Sequence, residues 1–248
     1  MTKPEIIICP DAAELNRRAA ECFIERAKEA AARSGRFAVA LSGGSTPKAL
    51  YSLLATPSFA DRIPWPKVHL FWGDERCVPP DHPDSNYRMV CESLLSKVSI
   101  PSENVHRMAG EKEPQVAAAE YQQELTAFFQ LSEGTLPRFD LILLGLGEDG
   151  HTASLFPGSE ALKETKRLVT ANFVKNMSAY RLTLTLPVLN NAAHVFFLVA
   201  GASKAAIVED LLGAKSGTSN YPAAKIQPRD GKLTWMITQD AAANLRVG

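Results

Sequence analysis

Short apolar runs alternate with amphipathic stretches along this chain, and the alternation predicts its secondary structure. The apolar runs have the length and composition of strands and cover residues 5–9, 37–41, 68–72, 141–144, 168–173, 180–186, 194–200 and 233–237. Helical character is found in the stretches 15–30, 49–54, 85–95, 113–129 and 205–212. Alternating strands and helices indicate a mostly parallel sheet that is covered on both faces. The sequence therefore predicts an α/β fold with three αβα layers and a Rossmann-like sheet.

Capping residues mark several element ends. Asp11 is placed to cap the first long helix and Gly35 to end it, because a carboxylate accepts from N-terminal amides and glycine adopts left-handed conformations. Asp240 is expected to cap a closing helix, and residues 216–224 indicate a polar loop. No internal repeat, low-complexity tract or linker interrupts the pattern. We therefore predict one domain over residues 1–248.

Composition narrows the class of protein. The chain has 46% hydrophobic and 22% charged residues, which is ordinary for a globular protein with a sizeable core. Its formal net charge is zero and it has no basic run, so we expect no nucleic-acid partner. No apolar stretch approaches the length of a membrane span, so we expect no membrane partner. The N-terminus enters the first strand without a signal-like segment, which predicts a cytoplasmic location.

The cysteines do not indicate a metal centre or a disulfide framework. They are Cys9, Cys22, Cys77 and Cys91, and they form no C-x-x-C pair. We therefore expect reduced thiols and no metal site.

The strongest candidate for chemistry is the turn that follows the apolar run 141–144. This run is typical of a strand that is buried on both faces. The turn contains three glycines, which are Gly145, Gly147 and Gly150. Between and after them lie a carboxylate, Asp149, and an imidazole, His151. Because ligands bind outside the carboxyl ends of the strands in open α/β sheets, this titratable pair is a candidate catalytic centre.

The same glycine spacing also matches the dinucleotide-binding fingerprint. That fingerprint requires a helix that begins on the third glycine and an acid at the end of the next strand. The carboxylates of Glu148 and Asp149 would face a pyrophosphate here, so the dinucleotide interpretation is the weaker one. A histidine that only hydrogen-bonds the turn is a further alternative for His151.

A second candidate site follows the run 37–41. Two glycines, Gly43 and Gly44, allow a close backbone approach to a ligand, and the hydroxyls of Ser45 and Thr46 add donors. The following helix should therefore point free amides at an anion, which predicts a phosphate site. The alternative is a tight turn in which Thr46 is an ordinary helix cap.

Two further segments carry charged residues at predicted strand ends. The run 68–72 is followed by Asp74 and Arg76, and the run 194–200 is followed by Lys204 in the predicted first turn of a helix. A lysine is unfavourable there unless a bound anion offsets the helix dipole. The alternatives are a solvated turn at Asp74 and a solvated lysine at 204.

Four segments, in this order, resemble the 6-phosphogluconolactonase family. They are Ser42-Gly43-Gly44-Ser45-Thr46-Pro47, Trp72-Gly73-Asp74-Glu75-Arg76, Gly145-Leu146-Gly147-Glu148-Asp149-Gly150-His151-Thr152-Ala153-Ser154-Leu155-Phe156-Pro157, and Arg181-Leu182-Thr183 with Gly201-Ala202-Ser203-Lys204. The resemblance implies the sugar-phosphate-binding fold shared with glucosamine-6-phosphate deaminases. It also implies hydrolysis of 6-phospho-D-glucono-1,5-lactone, the second step of the oxidative pentose phosphate pathway, without a metal or organic cofactor. The implied partner is thus a small-molecule sugar-phosphate lactone.

Lactone hydrolysis assigns roles to the candidate catalytic residues. We expect His151 to be the general base that activates water. Asp149 either orients His151 or contacts sugar hydroxyls, and Asp74 is expected to contact a hydroxyl. Arg76 is expected to meet the developing negative charge, or else to join the phosphate clamp.

The phosphate clamp consists of side chains and amides from three segments. Its expected members are Gly43, Gly44, Ser45, Thr46, Arg181 and Lys204. The two glycines would supply backbone amides, and the cations would form charge-assisted bonds.

Two other functions remain as alternatives. The deaminase relatives carry Asn-Glu-Pro where this chain has Leu155-Phe156-Pro157, and the missing glutamate favours hydrolysis over ring opening. A non-catalytic sugar-phosphate sensor usually carries an appended DNA-binding segment, whereas this sequence starts directly with the first strand. The presence of Asp149 and His151 also disfavours a sensor.

Overall fold

A seven-stranded sheet forms the centre of the structure, a computed structural model that describes residues 4–213 and 220–245. The strands of the whole structure are β1 (Glu5–Cys9), β2 (Phe37–Leu41), β3 (Val68–Trp72), β4 (Asp74–Arg76), β5 (Val105–His106), β6 (Leu141–Leu144), β7 (Val169–Val174), β8 (Ala179–Leu184), β9 (His194–Val199) and β10 (Lys232–Thr238). The central sheet has the order β1-β10-β9-β6-β2-β3-β5, and all its neighbouring strands are parallel. The predicted α/β fold with a mostly parallel sheet is confirmed.

Helices connect most of these strands. They are α1 (Ala12–Ser34), α2 (Ser45–Leu54), α3 (Pro57–Ala60), α4 (Asn86–Ser93), α5 (Pro114–Phe129), α6 (Leu186–Leu189) and α7 (Ala205–Leu212). The long helix α1 begins and ends where its sequence indicates: Asp11 accepts a hydrogen bond from the backbone N–H of Glu14 at 2.8 Å, and Gly35 follows it with φ 77°. No helix in the described ranges is long and apolar enough to cross a membrane.

The central strands β2 and β6 are buried at every position. Their apolar side chains therefore contact packed layers on both faces, as expected of a parallel sheet with covered faces. Both strands end in polar, glycine-containing turns, so the core holds the backbone from which the candidate site residues project.

A second, smaller sheet was not foreseen from the sequence. The strands β4, β8 and β7 form an antiparallel sheet, in which Asp74 lies opposite Thr183 and Arg76 opposite Arg181. The connection between β7 and β8 contains only residues 175–178, and parallel strands require a much longer crossover. The stretches 168–173 and 180–186 therefore pair with each other and not with the parallel sheet.

The expectation of a closing helix after Asp240 was wrong. Residues 239–244 form turns, and the Asp240 carboxylate accepts hydrogen bonds from the adjacent Ala241 N–H at 2.8 Å and from the hydroxyl of Thr238 at 2.5 Å. A helix cap accepts instead from amides two or three residues further along. Of the predicted loop 216–224, residues 216–219 lie outside the described residues, and 222–225 form a short 3-10 helix.

The order of the strands reverses between β2 and β6. From β2 the chain continues to β3 and β5 on one side, and from β6 it continues to β9 and β10 on the other. Loops that leave neighbouring strands in opposite directions open a crevice at the carboxyl ends, where α/β proteins bind ligands.

Candidate active site

A cleft of about 280 Å³ lies at this reversal point. It is lined by the loops after β2 and β6, by the end of β9 and by residues from the β4 region. The structure brings most of the sequence-predicted site residues to its walls: Gly43, Gly44, Ser45, Thr46, Asp74, Arg76, His151 and Lys204. Asp149 does not line the cleft but contacts His151, and Arg181 lies opposite Arg76 on the neighbouring strand.

The imidazole of His151 is held on several sides. Its Nδ1 lies 2.5 Å from Oδ1 of Asp149, and its ring stacks on Phe156 with centroids 4.3 Å apart and planes at 27°. A Cβ atom added to Gly147 would lie 2.0 Å from His151 Nδ1, so this position requires glycine. Because Nδ1 is bound to the carboxylate, Nε2 is the nitrogen that can exchange a proton with a molecule in the cleft.

The environment of Asp149 favours its ionised form. Burial by itself would raise the pKa of this carboxyl, but hydrogen bonds from the backbone N–H and the ring of His151 outweigh burial and hold the pKa below its usual value. An ionised carboxylate on Nδ1 orients the imidazole. The pair thus has the geometry of a general base with its orienting group.

The loop after β2 presents a helix N-terminus to the cleft. Helix α2 begins at Ser45, and its N-cap is Gly44 at φ 105°, with no side chain that caps the helix. The alternative in which Thr46 is an ordinary cap was therefore wrong. Amides of the first turn that lack a side-chain cap are donors for an anion.

Gly43 permits a close contact with a buried amide. A Cβ atom at Gly43 would lie 2.0 Å from Oδ1 of Asn86, which is 2% exposed and also lines the cleft. The Nδ2 group of Asn86 donates to the backbone oxygen of Asp74 at 2.9 Å. Asn86 therefore joins the phosphate-site loop to β4, a role that was not identified from the sequence.

Asp74 is a buried carboxylate and does not lie in a solvated turn. It is 7% exposed, and its Oδ2 accepts a hydrogen bond from the hydroxyl of Ser154 at 2.7 Å. Ser154 belongs to the same turn as His151, so this bond connects β4 to that turn. This bond could not be predicted from the sequence, since 80 positions separate the two residues.

Glu75, next to Asp74, anchors helix α4. It is 2% exposed and accepts hydrogen bonds from the backbone N–H groups of Asn86 at 2.7 Å and Tyr87 at 2.8 Å. Burial raises the pKa of this carboxyl above its usual value, against the lowering effect of these bonds. The role of Glu75 is therefore structural: it holds the start of α4, the segment that carries Asn86.

Two arginines lie opposite each other on the small sheet, and one of them, Arg76, lines the cleft. Arg76 and Arg181 occupy directly opposite positions on β4 and β8, and Arg76 Nη1 donates to the backbone oxygen of Asp84 at 2.5 Å. Burial, and then the charge of Arg76, lower the pKa of Arg181. Like charges directly opposite each other are unfavourable, so this pair is better suited to the presence of an anion.

Lys204 reaches the cleft from the N-terminus of α7. It is the last residue of a short 3-10 helix, Ala202–Lys204, and the N-cap of α7, so it lies just before the first helical turn in which it was expected. Its side chain is 23% exposed, and Nζ lies 3.8 Å from a carboxylate oxygen of Glu148. A contact of this length with an exposed partner is weak, so an incoming anion can compete for the lysine.

The dinucleotide interpretation was wrong. No helix begins between residues 145 and 159, all of which are described; the chain forms turns there. Without a helix on the third glycine, the pyrophosphate-binding arrangement of the fingerprint is missing.

Comparison with known proteins identifies the family. Residues 10–235 match the family model described as glucosamine-6-phosphate isomerases/6-phosphogluconolactonase. This chain belongs to that family. It is 45% identical over 244 residues to a 6-phosphogluconolactonase of Synechocystis sp., a match that covers 98% of this chain and 99% of the relative. A 6-phosphogluconolactonase of Nostoc sp. is 42% identical, with coverage of 99% and 100%.

Solved structures of related proteins have the same fold over nearly the whole chain. The 6-phosphogluconolactonase from Trypanosoma cruzi superposes with a TM-score of 0.85 at 32% identity, and the match covers 98% of this chain and 97% of that one. A monomeric glucosamine-6-phosphate deaminase superposes with a TM-score of 0.81, with coverage of 97% and 99%. Its identity is 19%, so it shows a shared fold only.

Proposed function

We propose that this chain hydrolyses 6-phospho-D-glucono-1,5-lactone to 6-phospho-D-gluconate, a step of the oxidative pentose phosphate pathway. The observation that carries the proposal is one cleft lined by the imidazole of His151, which Asp149 contacts from outside the cleft, and by an uncapped helix N-terminus. The family and the nearly full-length relatives named 6-phosphogluconolactonase support it. The alternatives of a deaminase or a sensor are not favoured by these comparisons.

The phosphate group is bound at the α2 end of the cleft. In this proposal the amides of Gly43 and Gly44 and the hydroxyls of Ser45 and Thr46 donate to its oxygens, and Lys204 supplies charge. The helix dipole favours a dianion at this position. Arg181 completes the clamp from β8, next to Arg76.

The reacting carbon is bound at the His151 end. Nε2 of His151 removes a proton from water while the water oxygen attacks the lactone carbonyl carbon. The negative charge that develops on the carbonyl oxygen is met by Arg76. When the tetrahedral intermediate collapses, the bond to the ring oxygen breaks and that oxygen takes the proton from His151. The carboxylic acid then ionises.

The carboxylates have separate tasks in this scheme. Asp149 stays ionised, keeps Nδ1 of His151 protonated and stabilises the imidazolium. Asp74 is fixed by Ser154 and by the amide of Asn86, so it can accept a hydrogen bond from a sugar hydroxyl. The scheme requires only a base, a polarised ester carbonyl and water, and we therefore propose no metal or organic cofactor.

The surroundings of His151 distinguish lactone hydrolysis from deamination. Phe156 stacks on the imidazole at the place where the deaminase relatives have a glutamate. An aromatic ring cannot exchange a proton with the imidazole, so His151 has no carboxylate partner for ring opening on that side.

We further propose a cytoplasmic location and a small sugar-phosphate lactone as the partner, with no nucleic acid or membrane. The zero formal charge supports the absence of a nucleic-acid partner.

The experiment that tests the function uses purified protein with two substrates. Lactone generated by glucose-6-phosphate dehydrogenase should be converted to 6-phosphogluconate faster than its spontaneous hydrolysis, in proportion to added protein. Glucosamine 6-phosphate should release no ammonia above background. Ammonia release without lactone hydrolysis would contradict the proposal.

A further inference from the structure

A short segment after α7 lies against the turn that carries His151. The backbone N–H of Ala223 donates to the backbone oxygen of Gly150 at 3.0 Å. A Cβ atom at Gly150 would lie 2.4 Å from Cδ1 of Tyr221, so the tyrosine ring covers this glycine directly. Gly150 has φ 76° and connects Asp149 to His151. The ring of Tyr221 therefore packs on the residue between the two members of the catalytic pair.

The other end of Tyr221 contacts the helix that carries the phosphate-site lysine. Its hydroxyl donates to Oδ2 of Asp210 at 3.0 Å. Asp210 lies on α7, and the N-cap of that helix is Lys204. Six residues of helix correspond to about 9 Å, and this helix is anchored by the buried side chains of Ile207, Val208 and Leu211. A constraint on Asp210 is therefore transmitted to Lys204 through a short, packed helix.

We propose that Tyr221 is a positioning residue that sets the spacing between the two ends of the substrate site. Its ring fixes the turn of His151, and its hydroxyl fixes the helix of Lys204. This inference rests on the proposed function, in which the imidazole and the lysine act on opposite ends of one substrate. Since a substrate held at both ends reacts only when both ends are correctly placed, the spacing matters for turnover.

The two contacts of Tyr221 predict different kinetic effects. Loss of the hydroxyl loosens Lys204, which binds phosphate before and during the reaction, so KM should rise. Loss of the ring loosens Gly150 and hence His151, so kcat should fall. A tyrosine that only packs on the surface would change the melting temperature and leave both kinetic constants unchanged.

The test is a set of steady-state measurements on the full chain with the phosphorylated lactone. Tyr221→Phe and Asp210→Ala should each raise KM about 3- to 10-fold, as expected for one hydrogen bond, with kcat within about twofold. The double variant should be no worse than either single one, because both remove the same bond. Tyr221→Ala should also lower kcat by about tenfold or more. Tyr180→Phe, which removes the hydroxyl of an exposed tyrosine, is the matched control and should match the wild type.

The outcomes separate this inference from the proposed function. A wild-type chain without lactonase activity overturns the proposed function and this inference with it. An active wild type with unchanged KM in Tyr221→Phe and Asp210→Ala overturns the role of the hydroxyl. Unchanged kcat in a folded Tyr221→Ala overturns the role of the ring, and additive effects in the double variant overturn the link through Asp210.

Discussion

His151 owes its proposed reactivity to contacts that lie within a few residues of it in the sequence. The Asp149 carboxylate binds Nδ1, Gly147 leaves room for the ring, and Phe156 covers one face. These contacts restrict the rotation of the imidazole and leave Nε2 accessible. A base that is oriented before the substrate arrives loses little entropy when it reacts.

Replacement of Asp149 by asparagine tests this arrangement at the level of one residue. Asp149→Asn retains the size of the side chain but removes the charge that stabilises the imidazolium. We expect turnover to fall about 10- to 100-fold, a part of the usual contribution of a general base.

The measurement is the steady-state rate of lactone hydrolysis by the wild type and by Asp149→Asn at neutral pH. Glu160→Gln, at an exposed residue outside the cleft, is a suitable control. Unchanged turnover in a folded Asp149→Asn would remove Asp149 from its proposed role.

Packing between elements creates a second polar cluster, away from the cleft. Nδ1 of His69 on β3 lies 3.2 Å from Nε2 of His106 on β5, and Nδ1 of His106 lies 2.7 Å from Glu124 on α5. His106 stacks on Phe71 at 4.2 Å between centroids. Burial, then the charges of His106 and Arg36, lower the pKa of His69 to about 4. The packing thus favours a neutral His69.

This cluster predicts a loss of stability in acid. The folded-state pKa of His69 lies below the ordinary value of 6.5, so the unfolded chain takes up the proton first as pH falls. The stabilising contribution is complete above pH 6.5 and is lost by about pH 4. One pKa unit corresponds to about 1.4 kcal/mol, and partial solvent contact reduces the effect, so we expect about 1–3 kcal/mol.

The check is the melting temperature of His69→Asn and wild type between pH 7 and pH 4. The difference between the two proteins should narrow by several degrees as pH falls, because only the wild type loses the His69 contribution. His82→Asn alters an exposed histidine and should follow the wild type. Parallel curves for His69→Asn and wild type would contradict the account.

At the scale of the whole molecule, the sequence predicted the features that depend on residues close together along the chain. The apolar runs predicted the strands β2 and β6, because both are buried on two faces and bounded by polar turns. The loops that follow these strands were predicted as the site, since parallel strands bring their carboxyl ends to one edge. A single domain over residues 1–248 remains our proposal, and a core that extends through both sheets supports it.

Features that depend on contacts between residues far apart in the sequence were not predicted. The apolar runs 168–173 and 180–186 do not specify a partner strand, so the separate antiparallel sheet of β7 and β8 was not predicted. The network of Asp74 with Ser154 and Asn86 was missed for the same reason. Pairwise distances of this kind come from the packed fold and leave no local trace in the sequence.

The central claim is that one cleft binds a sugar phosphate at the helix N-terminus and attacks its far end with water activated by His151. The most direct measurement is steady-state hydrolysis of the phosphorylated lactone by His151→Ala, corrected for spontaneous ring opening. We expect kcat to be lower by about two to four orders of magnitude and KM to be nearly unchanged, since the phosphate site is intact. A folded His151→Ala with wild-type kcat would contradict the central claim.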